Sequence, residues 1–402
     1  MKKLMILGGS RYAIPVIQTA KKLGIYTITC DYLPENPAHK VSDEYVNVSI
    51  IDKEATLAAA QRLQIDGIVS FGCDPGVVTA AYVAEKMGLP FQGPYKSVEI
   101  LQDKGLFRQF LTENGFNVPH AKRYTDKNAP FADIDFFTWP VIVKPVDSAG
   151  SKGVTKVDTP EQLPQAVDAA LHNSIGGSFI IEDFLVFEGY HSTSDIFVEG
   201  NQLKFVTYMD HQFDADSENP FTPTFNILPS TMQAEHQAVL TEETQRLISL
   251  LDLRTGLYNI ETCVANGGKA YIMELSPRGG GGGLAVIQDL AYGTELIENE
   301  IRNAVDLPLK DIRQGECSGA WCSMVVHADC GKSGVLKCVS VDPEIEEKYL
   351  KITDLSVKKG DFVKPFTGAN MALGELYLRF DSREELDAVI ARADEWLHIE
   401  LE

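Results

Sequence analysis

The sequence predicts a mixed α/β and α+β chain that opens on a parallel sheet with helices on both faces. Three observations predict this. Short apolar strands alternate with helical patterns through the first 95 residues, the order that parallel sheets require. Further on, apolar strand runs flank a small-residue loop, and Asn266-Gly267 sits between two alternating runs as a two-residue hairpin signal. At 402 residues, 44% apolar and 23% charged, the chain is long enough for more than one core.

The elements follow in order. KKLMILGG reads as a strand ending in a glycine turn, PVIQTAKKLG as a helix stopped by glycine, and YTITCDY as a strand. KEATLAAAQRLQ is a helix, DGIVSFG a strand and GVVTAAYVAEKMG a helix, closing a first unit at about residue 95. Gly8-Gly9 is followed by Ser-Arg-Tyr-Ala, so the dinucleotide fingerprint G-x-G-x-x-G is absent, as is the P-loop pattern. Ligands of open parallel sheets sit beyond the carboxyl ends of strands. That singles out Ser10 and Arg11 after the first strand, and Cys73 and Asp74 after FG; an ordinary turn is the competing reading.

Residues 97–115 read as one helix ended by Gly115. WPVIVKPVDSAGSKGVTKV then reads as strand, glycine loop, strand, with Lys144 at the end of the apolar run. Such a loop can close over phosphates with its N–H groups, and Lys144 would add a point charge; a hairpin tip is the alternative. FIIEDFL is a strand carrying Glu182 and Asp183, and a hairpin with its turn at EGNQ follows Glu188. Acids at a strand end are commonly just solvated. A strand connecting two lobes can instead read adenine, with Glu182 accepting from its amine and Glu188 holding ribose hydroxyls.

The segment YNIETCVANGGKAYIMELS carries the most informative pattern. With a two-residue turn at Asn266-Gly267, Ala265 faces Gly268, Glu261 faces Ile272 and Asn259 faces Glu274. Asn259, Glu261, Glu274 and Ser276 then share one face, with the two glutamates diagonal neighbours about 7 Å apart or somewhat less at Cβ. Tyr258, Ile260, Thr262, Val264, Tyr271, Met273 and Leu275 form the opposite, core face. Adjacent carboxylates repel unless a hard cation relieves them. Mg²⁺ typically takes one or two carboxylates plus substrate phosphates. Arg278 and five glycines follow directly. The arginine can steady a transferring phosphoryl group or an oxyanion, and the glycines let the backbone approach a ligand.

The net charge of −21 argues against nucleic acid or an anionic membrane as the main partner. No run approaches 18 apolar residues and no signal peptide is recognisable at the start, so the expected compartment is cytoplasmic. Seven cysteines, four of them (Cys317, Cys322, Cys330 and Cys338) near the C-terminus, lack the spacing of a zinc site and read as small buried residues. His327 reads as a packed strand residue. WCSMVVHA, GKSGVLKCVSV and GELYLRF are strands and SREELDAVIARADEWL a helix, a small α+β unit over 310–402. The polar segment 209–230, with its prolines, reads as a long specificity loop in which Asp210 and His211 could hold an amine. Arg11 could hold a carboxylate bidentately.

Taken together, Lys104, PVIVKP with Lys144, the DSAGSKGV loop, IIEDFL, the Glu188-Gly189 pair, and Glu261 with ELSPRGGGG resemble the ATP-grasp superfamily. The branch resembled is that of the carboxylate–amine ligases related to biotin carboxylase and carbamoyl phosphate synthetase. The likeness covers about residues 1–305. It implies a pre-ATP-grasp domain over 1–95, a two-lobed ATP-grasp domain over 96–305 with its lid lobe at about 118–187, and a C-terminal α+β module over 306–402. It implies ATP with Mg²⁺ (or Mn²⁺) as cofactors, Lys104 and Lys144 on the phosphates, and a lid at Ser148–Gly153, including Gly150 and Ser151. Glu182, Asp183 and the backbone of Phe184 and Leu185 would bind adenine, and Glu188 ribose. Glu261, Glu274 and Ser276 would ligate metal, with Ser276 standing where the family commonly has Asn, and Arg278 would act on an acyl phosphate. The implied activity is amide formation from a carboxylate and an amine, with ADP and phosphate released, on an amino acid or small peptide; a homodimer is common in the resembled group. A small-molecule kinase and a non-catalytic nucleotide-binding module are the alternatives that the same parts allow.

Overall fold

The computed structural model of the protein describes residues 1–148, 150–214, 220–328 and 331–402. The first unit is built from β1 (Lys3–Leu7), α1 (Ile14–Lys22), β2 (Tyr26–Cys30), β3 (Glu44–Val46), α2 (Lys53–Leu63), β4 (Gly67–Ser70) and α3 (Asp74–Met87). Its strands lie in the order β3-β2-β1-β4, all parallel. Both faces of this sheet are covered, so β1 is almost wholly buried, as a near-continuous apolar run requires. The carboxyl ends of β1 and β4 deliver Arg11 and Asp74.

The single helix expected over 97–115 is two, α4 (Tyr95–Gln102) and α5 (Lys104–Glu113). Asp103 is extended, with φ −112° and ψ 109°, and its carboxylate accepts from the N–H groups of Gly105 and Leu106 at 2.9 and 3.0 Å. That cap starts a new helix with Lys104 as its first residue.

A four-stranded antiparallel sheet follows, formed by β5 (Ala121–Tyr124), β6 (Val141–Pro145), β7 (Thr155–Val157) and β8 (Phe179–Asp183) in the order β5-β8-β6-β7, with α6 (Leu163–Asn173) against it. Then come β9 (His191–Glu199), β10 (Gln202–Phe205), β11 (Met209–Phe213), β12 (Pro223–Leu228), α7 (Ala234–Leu250), β13 (Gly256–Ala265), β14 (Lys269–Ser276), α8 (Leu284–Tyr292) and α9 (Leu296–Ala304). The segment expected to be one long loop over 209–230 thus contributes two paired strands, β11 and β12; residues 215–219 between them lie outside the described residues.

The C-terminal part holds β15 (Ala320–Val326), β16 (Gly334–Val341), α10 (Pro343–Lys348), β17 (Leu350–Leu355), β18 (Phe362–Val363), β19 (Gly374–Phe380), α11 (Arg383–Ile390), α12 (Ala393–Trp396) and β20 (Leu397–Leu401). The helix expected over 382–397 is two, because Arg392 leaves the helical conformation. Three of these strands, β15, β19 and β17, lie in the larger sheet. Strand β12 pairs with β15, so one antiparallel sheet of nine strands runs β14-β13-β9-β11-β12-β15-β19-β17, with β10 on β9. Only β18, β16 and β20 make a small sheet of their own. His327 stacks on Phe366 with ring centroids 4.2 Å apart, and Cys322 is buried; Cys330 lies outside the described residues. No described helix is long and apolar enough to cross a membrane.

Candidate active site

The β13–β14 hairpin turns through three residues, Asn266, Gly267 and Gly268, each with positive φ between 51° and 83°. Ala265 therefore pairs with Lys269 and Thr262 with Ile272. A bulge then shifts the register, so that Glu261 stands directly opposite Glu274 and Asn259 opposite Ser276. The four polar residues do share a face, with the glutamates facing each other rather than diagonal. The longer turn has a second consequence, since a one-residue slip moves side chains to the other face. Tyr271 and Met273, expected in the core, pack with Cys263, Ala265 and Leu185 on the polar residues' side of the hairpin, while Ala270 and Ile272 take their place in the core.

Around the glutamate pair the charges alternate. Lys104 Nζ lies 3.4 Å from Glu274 and donates to the Ser148 carbonyl at 3.3 Å. Burial, with Glu274 beside it, pushes the Glu261 carboxyl up to about 7; Lys104 and Arg278 oppose this only in part. Arg278 is 7% exposed and bound through Nε and Nη2 to the two oxygens of Asp74, both at 2.8 Å. Burial alone would raise the Asp74 carboxyl, but Arg278 holds it below its ordinary range. Ser276 is fully buried, accepts from Gln102 Nε2 at 2.7 Å and donates to Asp74 at 2.9 Å. Its hydroxyl thus braces Asp74, a role the sequence did not suggest for the expected third metal ligand. No group of three or more His, Cys, Asp or Glu able to hold a metal occurs among the described residues. The two opposed carboxylates, one of them with a raised pKa, still fit Mg²⁺ of the kind that completes its shell with phosphate oxygens and water.

The glycine run is threaded between side chains. A Cβ on Gly279 would lie 2.2 Å from the Phe71 ring, and one on Gly283 would lie 1.9 Å from the Tyr377 hydroxyl. Gly280 donates its N–H to both oxygens of Asp195, at 2.8 and 2.9 Å, and Asn259 Nδ2 reaches the same carboxylate at 3.1 Å. Asp195 is fully buried, and burial pushes its carboxyl up to about 6.

A second charge chain stands beside the first. Lys144 Nζ is 2.6 Å from Glu182, and Arg108 Nε is 2.8 Å from the same carboxylate. Burial alone would raise Glu182, but Arg108 and Lys144 pull it down to about 2. Burial, opposed by Glu182 and reinforced by Arg108 and Lys104, lowers the Lys144 ammonium. At 2% exposure, between two cations, Glu182 is a positioner of Lys144 and not the free adenine acceptor that the sequence suggested. Its neighbour Asp183 accepts from the Thr138 N–H at 2.8 Å and faces His120 at 3.1 Å.

Phe184 donates its N–H to Pro140, and Leu185 packs against Cys263 and Tyr271. Glu188 accepts from the N–H groups of Gly267 and Gly268 at 2.6 and 2.9 Å. One of its oxygens thus closes the hairpin turn rather than standing free for ribose. In the glycine loop, Ser148 meets Lys104, Gly150, Ser151 and Gly153 all have positive φ, and Ser151 Oγ donates to the Phe221 carbonyl at 2.8 Å.

Three further expectations change. Asp210 is buried, accepts from Ser230 and Thr231, and pairs with Arg383 at 2.8 Å, so it anchors α11 and is not an amine holder. His211 lies across from His191, with ring centroids 5.8 Å apart; burial lowers both imidazoles, that of His191 to about 4. Arg11 is not a free fork for a carboxylate, because Glu375 already occupies it at 2.5 and 2.6 Å. Sequence reasoning missed Arg108, Gln102, Asp195, His191 and Glu375. A lone arginine between phenylalanines and an aspartate directly before the apolar run Ile196–Val198 were the available signals for two of them.

Residues 137–286 match the ATP-grasp domain family. The chain is 27% identical, over 81% of its length and 82% of the relative's, to the formate-dependent phosphoribosylglycinamide formyltransferase of Synechococcus sp. strain WH7803. In three dimensions it is similar to the L-amino acid ligase of Bacillus licheniformis, with a TM-score of 0.81 at 21% identity over 100% of this chain and 99% of that one. It is also similar to phosphoribosylglycinamide synthetase of Anaerococcus prevotii, with a TM-score of 0.77 at 20% identity over the whole of both chains. Residues 137–286 thus carry an ATP-grasp domain, and the whole chain has the fold of the ligase and synthetase structures it resembles. It is an enzyme of the ATP-grasp ligase class.

Proposed function

We propose that the protein is an ATP-dependent carboxylate–amine ligase that forms an amide through an acyl phosphate, with an amino acid or small peptide as a substrate. The directly opposed Glu261–Glu274 pair, bracketed by Lys104 and the Asp74-anchored Arg278, carries this reading. ATP and Mg²⁺ are the cofactors, and the partners are small molecules in the cytoplasm.

Lys104 and Lys144 hold the phosphate chain, and the loop 148–153 covers it. Bound Mg²⁺ neutralises phosphate oxygens and polarises the transferring group. The substrate carboxylate takes the γ-phosphoryl group and ADP leaves. The amine nitrogen then bonds to the acyl carbon, the bond from that carbon to the phosphate oxygen breaks, and phosphate and a proton are released. Arg278 gives most of its fork to Asp74, so it acts as a fixed, buried positive charge beside the reacting groups and not as a mobile clamp. The covered site keeps water from the acyl phosphate.

The test is phosphate release from Mg–ATP with pooled carboxylates, formate among them, crossed with pooled amines and amino acids. Release that needs one member of each pool supports the ligase. Release with a single acceptor supports a kinase, and Mg–ATP binding without release in any pool supports a non-catalytic module.

A further inference from the structure

One fully buried carboxylate near the reacting groups has no part in the chemistry described above. Asp195, on β9, forms no ion pair among the described residues, and Arg278 attracts it from beyond ion-pair distance. Its neighbours include like charges. Burial, with the Asp195 charge adding to it, pushes the carboxyls of Asp289 on α8 and Glu300 on α9 up to about 7 and about 8. Burying an unpaired charge costs stability, and a backbone N–H needs one acceptor rather than two charged oxygens. What the carboxylate holds is a single peptide group. The N–H of Gly280 and the C=O of Gly279 lie in one plane. The N–H is on Asp195, and the carbonyl accepts from the Gly72 N–H at 2.9 Å and from Arg278 Nη1 at 3.2 Å. Arg278 Nε and Nη2 are on Asp74, so all three guanidinium nitrogens are held. A carboxylate at one end of a peptide group polarises the other end and strengthens its hydrogen bonds. A Cβ on Gly280 would lie 2.6 Å from Leu284 and 2.9 Å from Asp195, so only glycine admits this contact. The buried Gln288 clamps the backbone of Asp195 to α8, accepting from its N–H at 3.1 Å and donating to its carbonyl at 2.7 Å.

We propose that Asp195 is a positioning residue for the reaction, fixing Arg278 through the Gly279–Gly280 peptide group. Asp74 grips one edge of the guanidinium directly, and Asp195 sets the other through that peptide. The inference rests on the ligase reading above, in which Arg278 acts beside the reacting groups. It gives the first two glycines of the run a task apart from ligand approach, since the N–H of Gly280 points to Asp195 and the carbonyl of Gly279 to Arg278 and Gly72.

Asp195→Asn tests it, because Asn keeps the size but removes the charge and turns an N–H₂ towards Gly280. Phosphate release should lose at least 10-fold in kcat, with the KM for Mg–ATP changed less than 2-fold. The midpoint of thermal unfolding at pH 7 should stay the same or rise, since a buried unpaired charge is gone. In an Arg278→Lys background, where the Nη1 bond is already lost, the same substitution should cost less than 2-fold in kcat. Hydrogen exchange, followed by mass spectrometry on a peptide spanning 278–283, should show one amide exchanging at least 5-fold faster in Asp195→Asn. Wild-type kcat, a joint loss of kcat, Mg–ATP affinity and thermal stability, or an undiminished kcat loss in the Arg278→Lys background would each overturn the proposal. Turnover on a single acceptor with the same Asp195 dependence would sink the ligase reading and leave Asp195 in its role. Two-substrate turnover unaffected by Asp195→Asn would do the reverse. With no turnover in any pool the ligase reading falls, and unchanged exchange over 278–283 would then overturn the inference as well.

Discussion

Gly283 combines a φ of 71° with a Cβ position 1.9 Å from the Tyr377 hydroxyl. Gly283→Ala must strain the backbone and displace that ring, and a loss of roughly 1–3 kcal/mol is expected, read by urea unfolding. At the reacting centre, Glu274→Gln keeps the side chain's size but removes one of the two opposed charges. Phosphate release should fall by about 10²-fold or more with the circular dichroism spectrum unchanged; wild-type turnover would rule out a role for the pair in holding metal. Ser276→Ala takes away the strut between Gln102 and Asp74. A drop in kcat with little change in Mg²⁺ dependence is expected, whereas a selective rise in the Mg²⁺ requirement would restore Ser276 as a ligand.

At the scale of elements, β8, α5 and β6 are joined through the buried carboxylate of Glu182. The sign of its pH dependence follows from its lowered pKa, about 2 against an ordinary value near 4.3. Native protein binds fewer protons than unfolded protein between those values. The stabilisation is therefore complete above about pH 4.3 and is lost as pH falls towards 2. Glu182→Gln should cost about 3 kcal/mol at pH 7 and flatten the acid limb of stability. Equal acid sensitivity in variant and wild type, in unfolding experiments between pH 7 and pH 2.5, would contradict this. The β13–β14 hairpin shows how an element's details escape local reading. Asn-Gly announced the turn, but Gly268 extended it by a residue, and the bulge at Glu261 and Thr262 then brought the glutamates face to face. Both shifts depend on what packs beneath the strands.

At the scale of the whole molecule, the Arg11–Glu375 pair ties the end of the first strand to β19 across 364 residues. Arg11→Met would leave a buried carboxylate without its cation, and a loss of about 3–5 kcal/mol is expected. Ligand linkage gives a second check. Mg–ATP at 100 times its Kd should stabilise the protein by about 2.7 kcal/mol against unfolding, and chelation of Mg²⁺ should remove most of that gain.

Alternation of strand and helix over the first 95 residues, the turn at Asn266-Gly267, and the order of lysines, glycine loop, acids and arginine were legible in the sequence alone. They arise from periodicity and turn chemistry, which act over a few residues of chain. Only the tertiary structure decided which charge meets which. Asp74 meets Arg278 over a separation of 204 residues, Glu182 lies between Arg108 and Lys144, and Asp210 turns to Arg383 instead of to a substrate. The joining of the C-terminal strands to the central sheet was hidden in the same way, since it rests on β12 pairing with β15. A carboxylate takes whichever cation the fold brings beside it in a dry interior, and strand adjacency far along the chain sets that choice.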